Sequence, residues 1–217
     1  MTQKAIIIGA RADGHAKVVL HILLASKQVE VIGFIDDNAS KKGELICNLP
    51  VLGQMKDIPQ LKKERDISCG IVAIGHNAQR RELAEQLKKY DIQLINAIHP
   101  SVIMDSDVTI GTGNYFGQGV IIVTGTRVGN CVNIHTGTTI DHDNVIADGV
   151  NIGPGTHTAG RVKIGEDSFL GTGCSIIPDI NIGKNSIAGA GTVIIRDVAD
   201  GIKIVGNPAR IIKNDTK

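Results

Sequence analysis

The chain has 217 residues, 42% of them hydrophobic, which suffices for one large domain or two modest ones with a sizeable core. Its 23 Lys and Arg against 22 Asp and Glu leave a formal charge of +1, and its aromatic residues are two Tyr and three Phe with no Trp. This composition gives neither the cationic field that holds a polyphosphate strand or an anionic bilayer nor the stacking platforms of single-strand binders, so no nucleic acid and no membrane partner is expected.

The first apolar run, Ala5 to Ile8, is far shorter than the ~20 residues of a membrane span, and no cleavage site follows a long apolar region. Cys47, Cys69, Cys131 and Cys174 form no C-x-x-C pair, so reduced thiols and a soluble, cytoplasmic chain are expected. From Lys4 to about Ala97 short apolar runs alternate with amphipathic stretches: Ala5 to Ile8, a helical Ala16 to Ser26, Val29 to Ile35, a helical Asp57 to Lys63, Cys69 to Ile74, a helical Ala78 to Lys89, and Gln93 to Ile98. Runs of Ile and Val without polar alternation predict strands buried on both faces, and their interleaving with helices predicts βαβ units on a small parallel sheet. Residues 1–97 are therefore assigned to an α/β, Rossmann-like domain.

After Ile98 the period becomes six. Stepping by six gives Met104, Ile110, Phe116, Ile122, Val128, Ile134, Ile140, Ile146, Ile152, Thr158, Ile164, Leu170, Ile176, Ile182, Ala188 and Ile194, with only Thr158 and Ala188 not large and apolar. Four places after these the residues are mostly small or β-branched, as in Val120, Thr126, Val132, Thr138, Val150, Thr156, Ser168, Cys174, Ser186 and Thr192. The chain also carries 26 Gly, well above the usual ~7%, so many tight turns are needed. Such a repeat predicts an all-β parallel β-helix over residues 98–199, three hexads to a coil, with a tail over 200–217. Residues 18 apart should stack, giving inner columns that begin at Ile110, Phe116 and Ile122.

The hexads resemble those of the acyltransferases built on a left-handed β-helix, and the handedness rests on that resemblance. A narrower match uses the whole chain: GARADGH at Gly9 to His15, FIDD at Phe34 to Asp37, PVLG at Pro50 to Gly53, IGHN at Ile74 to Asn77, IDHD at Ile140 to Asp143 and VGNPAR at Val205 to Arg210. In this order the motifs resemble the PglD/NeuD family of bacterial sugar acetyltransferases. The resemblance implies acetyl-CoA as donor, a nucleotide-linked amino sugar of surface glycan synthesis as acceptor, and a homotrimer with active sites between subunits. O-acetylation of a sialic acid is the family's other activity.

The resemblance also implies site residues. The general base falls on His142 and its carboxylate partner on Asp143, where relatives often have Glu. Acetyl-CoA contacts fall on Asn151, which replaces a His, on Thr172, and on Ala190, which replaces a Gly. Nucleotide-sugar contacts fall on Asp13, Gly14 and His15, on Asp36 and Asp37, and on Gly75; the first loop is one residue longer than the family's G-A-x-G-H.

The residues themselves fit this chemistry. Acetyl transfer to an amine needs a base for the acceptor nitrogen, and His142 lies two places past an inward Ile140, flanked by Asp141 and Asp143 that can fix its tautomer. On spacing alone, a solvated histidine in a charged turn is an equal reading. Cys174 falls in the inner small column and Cys131 has no readable base, so direct transfer is expected rather than an acetyl-enzyme. Gly160, one coil beyond His142, is the candidate backbone donor for the oxyanion. In the front half, a Gly-containing loop before the first helix suits a pyrophosphate, and carboxylates ending the second strand suit ribose hydroxyls or a base N–H. The G-x-G-x-x-G fingerprint of a dinucleotide oxidoreductase is absent. A metal-bearing β-helix like that of γ-class carbonic anhydrases needs a His pair five residues apart, whereas His135, His142 and His157 are separated by 7 and 15, so no metal is expected.

Overall fold

The computed structural model describes residues 2–10 and 14–212. The chain divides into two compact units, Met1–Pro100 with Thr112–Asn114, and Ser101–Gly111 with Tyr115–Lys217. The sequence boundary at 97/98 thus falls three residues early, and a short stretch at 112–114 belongs with the first unit. No helix among the described residues is long and apolar enough to cross a membrane.

The first unit runs β1 (Lys4–Ile8), α1 (His15–Ser26), β2 (Glu30–Ile35), β3 (Leu45–Ile46), β4 (Leu49–Gly53), α2 (Ile58–Arg65), β5 (Ile67–Val72), α3 (Asn77–Lys89) and β6 (Gln93–Leu94). Its sheet has the order β3-β4-β2-β1-β5-β6. β1 pairs parallel with both β2 and β5, and its Ala5, Ile6 and Ile7 are wholly buried, as a central strand flanked by helices requires. Helix α1 buries Ala16, Val19, Leu20, Ile22 and Leu23 on one face and ends at Lys27 in the left-handed region. The third long strand lies two residues earlier than the apolar run Cys69 to Ile74 implies, because Ala73 and Ile74 already belong to the loop that leaves it.

The antiparallel β3–β4 hairpin has no counterpart in the sequence reading. Its two-residue turn is Cys47-Asn48, with both φ positive at 49° and 67°, the conformation usually announced by Asn-Gly or Asp-Gly. Without a glycine the turn carries no readable signal.

In the second unit the strands are pairs of residues in three parallel sheets, and each pairs with the strand 18 residues on: Ile121–Ile122 with Thr139–Ile140, then with His157–Thr158, then with Ser175–Ile176. The inner columns hold. Phe116, Ile134, Ile152, Leu170 and Ala188 are buried in one, Ile122, Ile140, Thr158, Ile176 and Ile194 in another, and Val128, Ile146, Ile164 and Ile182 in the third. The small-residue positions are buried too, and their hydroxyls staple the coils: Thr138 donates to the carbonyl of Gly153, Thr156 to Gly171 and Ser168 to Gly183, each 15 residues on. One further column escaped the sequence reading. Three places after each inward residue from Ile110 to Ala188 the backbone is left-handed, held by Gly113, Gly119, Gly125, Gly137, Gly149, Gly155, Gly173 and Gly191 but also by Cys131, Asp143, Arg161, Asp167, Asp179 and Asn185. The stack continues into the segment read as a tail, where Lys203–Val205 pairs parallel with Ile187–Ala188 and folds back antiparallel on Arg210–Ile211.

Candidate active site

In the first unit, three loops leave the carboxyl ends of adjacent strands: Gly9 onward after β1, Asp36 and Asp37 after β2, and Ala73 to His76 after β5. β1 lies between β2 and β5, so this is the switch point at which open α/β sheets take their ligands. Gly9 has φ +104°, and a Cβ there would stand 3.1 Å from the Ala73 carbonyl oxygen, so glycine admits the first loop against the third. Gly14 precedes α1 without a side-chain cap, and no acidic residue occupies the first turn, which leaves the helix N-terminus suited to an anion. His15 opens that helix, half-buried; Asp13 lies outside the described residues.

Asp36 spends its carboxylate on the protein. Its Oδ2 accepts the Ala10 N–H at 3.0 Å and pairs with Lys41 Nζ at 2.9 Å, while Oδ1 accepts the Asn38 N–H at 2.9 Å. Partial burial acts to raise its pKa, but the bonds from the Asn38 N–H, from Lys41 and from the Ala10 N–H outweigh it and hold the group below the usual 3.8. A ligand hydroxyl would have to share these bonds, so Asp36 braces the first loop. Asp37 is exposed and accepts the Met55 N–H at 3.0 Å. Gly75 is exposed, with open space where a Cβ would stand. Beneath it lies a residue the sequence reading missed: Arg80, wholly buried, donates to the carbonyls of Ile74 (3.0 Å) and Gly75 (3.3 Å) and to Asn77 Oδ1 (3.1 Å). As one charged residue among several on an amphipathic helix, it carried no signal.

In the second unit, His142 lies in a corner turn between Thr139–Ile140 and Val145–Ile146. Its Nδ1 is 2.8 Å from Asp143 Oδ2, and its side chain is 40% exposed. Asp143 sits in the left-handed region at φ 57°, which aspartate tolerates better than most residues. Asp141 does not reach the ring; its Oδ1 accepts the backbone N–H of His142 at 2.8 Å. The ring lies over Gly160, where a Cβ would collide with its Nε2, Cε1 and Cδ2. A neutral ring that donates Nδ1–H to Asp143 leaves Nε2 as an acceptor, the state a general base requires.

Asp143 is followed in its corner column by Arg161 and Asp179. Arg161 Nε and Nη2 bind Asp179 Oδ1 and Oδ2 at 2.6 and 2.7 Å. This bidentate pair holds Asp179 below and Arg161 above their ordinary values.

The residues assigned to acetyl-CoA lie elsewhere on the β-helix. Asn151 is buried on the face that ends at Ile152, and Thr172 and Ala190 are exposed, 18 apart, on the corner after that face. The face carrying Thr139–Ile140, His157–Thr158 and Ser175–Ile176 separates that corner from the His142 corner. Gly160 alone of the donor set lies with His142. Burial pushes the Cys174 thiol up, and its Sγ points to the Gly189 carbonyl at 3.3 Å, so it is no activated nucleophile. Among the described residues no group of three or more His, Cys, Asp or Glu is placed to hold a metal.

The family model for the PglD N-terminal domain matches residues 4–87. The chain is 34% identical over 147 residues to GDP-perosamine N-acetyltransferase of Escherichia coli O157:H7, covering 65% of this chain and 66% of that protein. The structure superposes on a mutant of perosamine N-acetyltransferase from Caulobacter crescentus in complex with CoA and GDP-perosamine, with TM-score 0.91, 34% identity and 97% of each chain covered. The chain belongs to the PglD family of sugar acetyltransferases. The acetyltransferase domain of PglB from Neisseria gonorrhoeae FA1090, in complex with acetyl coenzyme A, matches with TM-score 0.87 and 30% identity over 98% of this chain and all of that one. Both the front sheet and the β-helix therefore have their counterparts in this family, and the sequence resemblance was to the right one.

Proposed function

We propose that the protein transfers the acetyl group of acetyl-CoA to the amino group of a nucleotide-linked amino sugar, with His142 as general base. The observation that carries this reading is the His142–Asp143 pair at 2.8 Å, with the ring resting on a glycine and its second nitrogen turned from Asp143. Nε2 takes the proton as the acceptor nitrogen bonds to the thioester carbon. The tetrahedral adduct then expels the CoA thiolate, which receives the proton back from the imidazolium, so one side chain serves both steps. Gly160 is our candidate for an N–H donor to the oxyanion, and Asn151, Thr172 and Ala190 for contacts to the donor.

The acceptor's nucleotide is assigned to the switch point of the front sheet, with its pyrophosphate at Gly14 and His15 and the remaining contacts near Asp37 and Gly75; Asp13 completes the set by sequence. The donor corner and the His142 corner lie on either side of one face of the β-helix, which supports a closed homotrimer whose sites pair the corners of neighbouring chains. Two of the relatives named above act on or bind GDP-perosamine, which makes a GDP-linked amino sugar the first acceptor to try.

The test is a thiol-release assay with acetyl-CoA against GDP-, UDP- and dTDP-linked amino sugars, beside free sialic acid. Release with one of the nucleotide amino sugars is expected. Release with sialic acid alone would replace amine by hydroxyl as the acceptor, and none with any acceptor would remove the enzymatic reading.

A further inference from the structure

Asn144 occupies the inner small-residue position of the His142 corner, and it fits that column badly. The positions before and after it in the same corner are Thr126 and Val162, all of them wholly buried. A valine or threonine therefore satisfies the coil; an asparagine buries an amide. Its Oδ1 finds no donor among the described residues, an expense of burial that the coil's own packing does not require.

The Nδ2 group is where the amide acts. It donates to the carbonyls of Asp141 (2.7 Å), His142 (3.2 Å) and Ala159 (2.9 Å). Three carbonyls can only accept, so the amide orientation is fixed by its neighbours, and with two hydrogens one bond is shared between the Asp141 and His142 carbonyls. The bond to Ala159, 15 residues on, is the ordinary staple that Thr138, Thr156 and Ser168 also make. The other two are additional. They fasten the backbone on both sides of the peptide that carries His142, while Thr126 Oγ1 adds a second bond to the Asp141 carbonyl at 2.9 Å and accepts the Asn144 N–H at 3.2 Å.

We infer that Asn144 is a positioning residue for the general base: its buried amide locks the Asp141-His142 turn so that the imidazole meets Asp143 and lies on Gly160. The inference rests on the proposed role of His142. Its geometry separates two jobs that one residue performs, since the single hydroxyl hydrogen of a threonine at 144 can keep the staple to Ala159 only by giving up the bonds to Asp141 and His142.

The experiment is therefore a double-mutant cycle with Asn144→Thr and His142→Ala, read as thiol release under single-turnover and steady-state conditions beside thermal melting. Asn144→Thr is expected to melt within a few degrees of wild type, to keep the KM for acetyl-CoA, and to lose about 10- to 100-fold in kcat, the order expected when a reacting group is misplaced by about 1 Å. In the His142→Ala background the same substitution should change the residual rate by less than about twofold, because the group it positions is gone. A wild-type kcat for Asn144→Thr, or an equal loss in both backgrounds, overturns the inference and leaves the role of His142 standing. Should Asn144→Thr fail to fold, Asn144→Val carries the same cycle, since valine already fills the equivalent place at Val162. A wild-type rate for His142→Ala removes the base itself and the positioning role with it.

Discussion

His142 presents one ring nitrogen committed to Asp143 and one turned away from it, and each neighbour makes a separable contribution. Replacing His142 by Ala should lower kcat by roughly 10² to 10⁴, the usual worth of general acid-base catalysis, with little change in melting temperature, because the side chain is outside the inner columns. Gly160→Ala tests the surface beneath the ring. Gly160 does not have a left-handed φ, so alanine costs no backbone strain there, yet its methyl would occupy the space of Nε2 and Cε1. The expected result is a folded protein with kcat reduced about 10- to 100-fold and unchanged KM for the acceptor; full activity would show that the ring adopts another position in catalysis. Asp143 could be anticipated because it adjoins the histidine in sequence. Asn144 could also have been found: in its own corner the column reads Val108, Thr126, Asn144, Val162, Ile180 and Val198, and an amide among apolar and hydroxyl residues is a signal available without coordinates. Asp36 shows the opposite limit, since a carboxylate at a strand end looks the same in sequence whether it faces a ribose or braces its own loop.

At the scale of the elements, period six was readable because every coil repeats the same burial requirement, so the inner columns followed from counting. The left-handed column was harder: its glycines were noticed only as an excess, because Cys131, Asp143, Arg161, Asp167, Asp179 and Asn185 hold the same conformation and hide the period. Removing a column member should destabilise strongly, since each touches its own kind one coil above and below. Ile152→Ala, at a wholly buried site between Ile134 and Leu170, should cost about 2 to 5 kcal/mol, read as a lowered denaturation midpoint of the second unit. In the front sheet, Asp36 links loop order to pH. Its folded pKa is lowered, so its contribution to stability is complete above the ordinary 3.8 and is lost as pH falls through the lower folded value. Asp36→Asn should therefore melt with a shallower decline than wild type on acidification below about pH 4. It should also raise the KM for the nucleotide sugar several-fold while leaving that for acetyl-CoA unchanged; a change in the acetyl-CoA value alone would mean that the first loop serves the donor.

At the scale of the whole molecule, the decisive question is which chain supplies which corner. His142 and the Thr172–Ala190 corner are separated by a full face of the β-helix, so a site that uses both draws them from two chains if the trimer is closed. Complementation distinguishes this from a site within one chain. His142→Ala removes the base and keeps the donor corner; Ala190→Glu places a bulky charge on the exposed donor corner and keeps the base. Each variant alone should show little activity at an acetyl-CoA concentration near the wild-type KM. Co-expressed in equal amounts and assembled at random, the two chains should form trimers in which about a quarter of the interfaces combine an intact His142 from one chain with an intact Ala190 from its neighbour, so about a quarter of the wild-type activity should return. Mixing the separately assembled trimers should restore nothing, which guards against residual activity in either parent. Light scattering of the wild type at micromolar concentration should give the mass of three chains. If the co-expressed material is trimeric and remains as inactive as its parents, the site belongs to a single chain, and the donor must then reach His142 across the face that carries Thr139, His157 and Ser175.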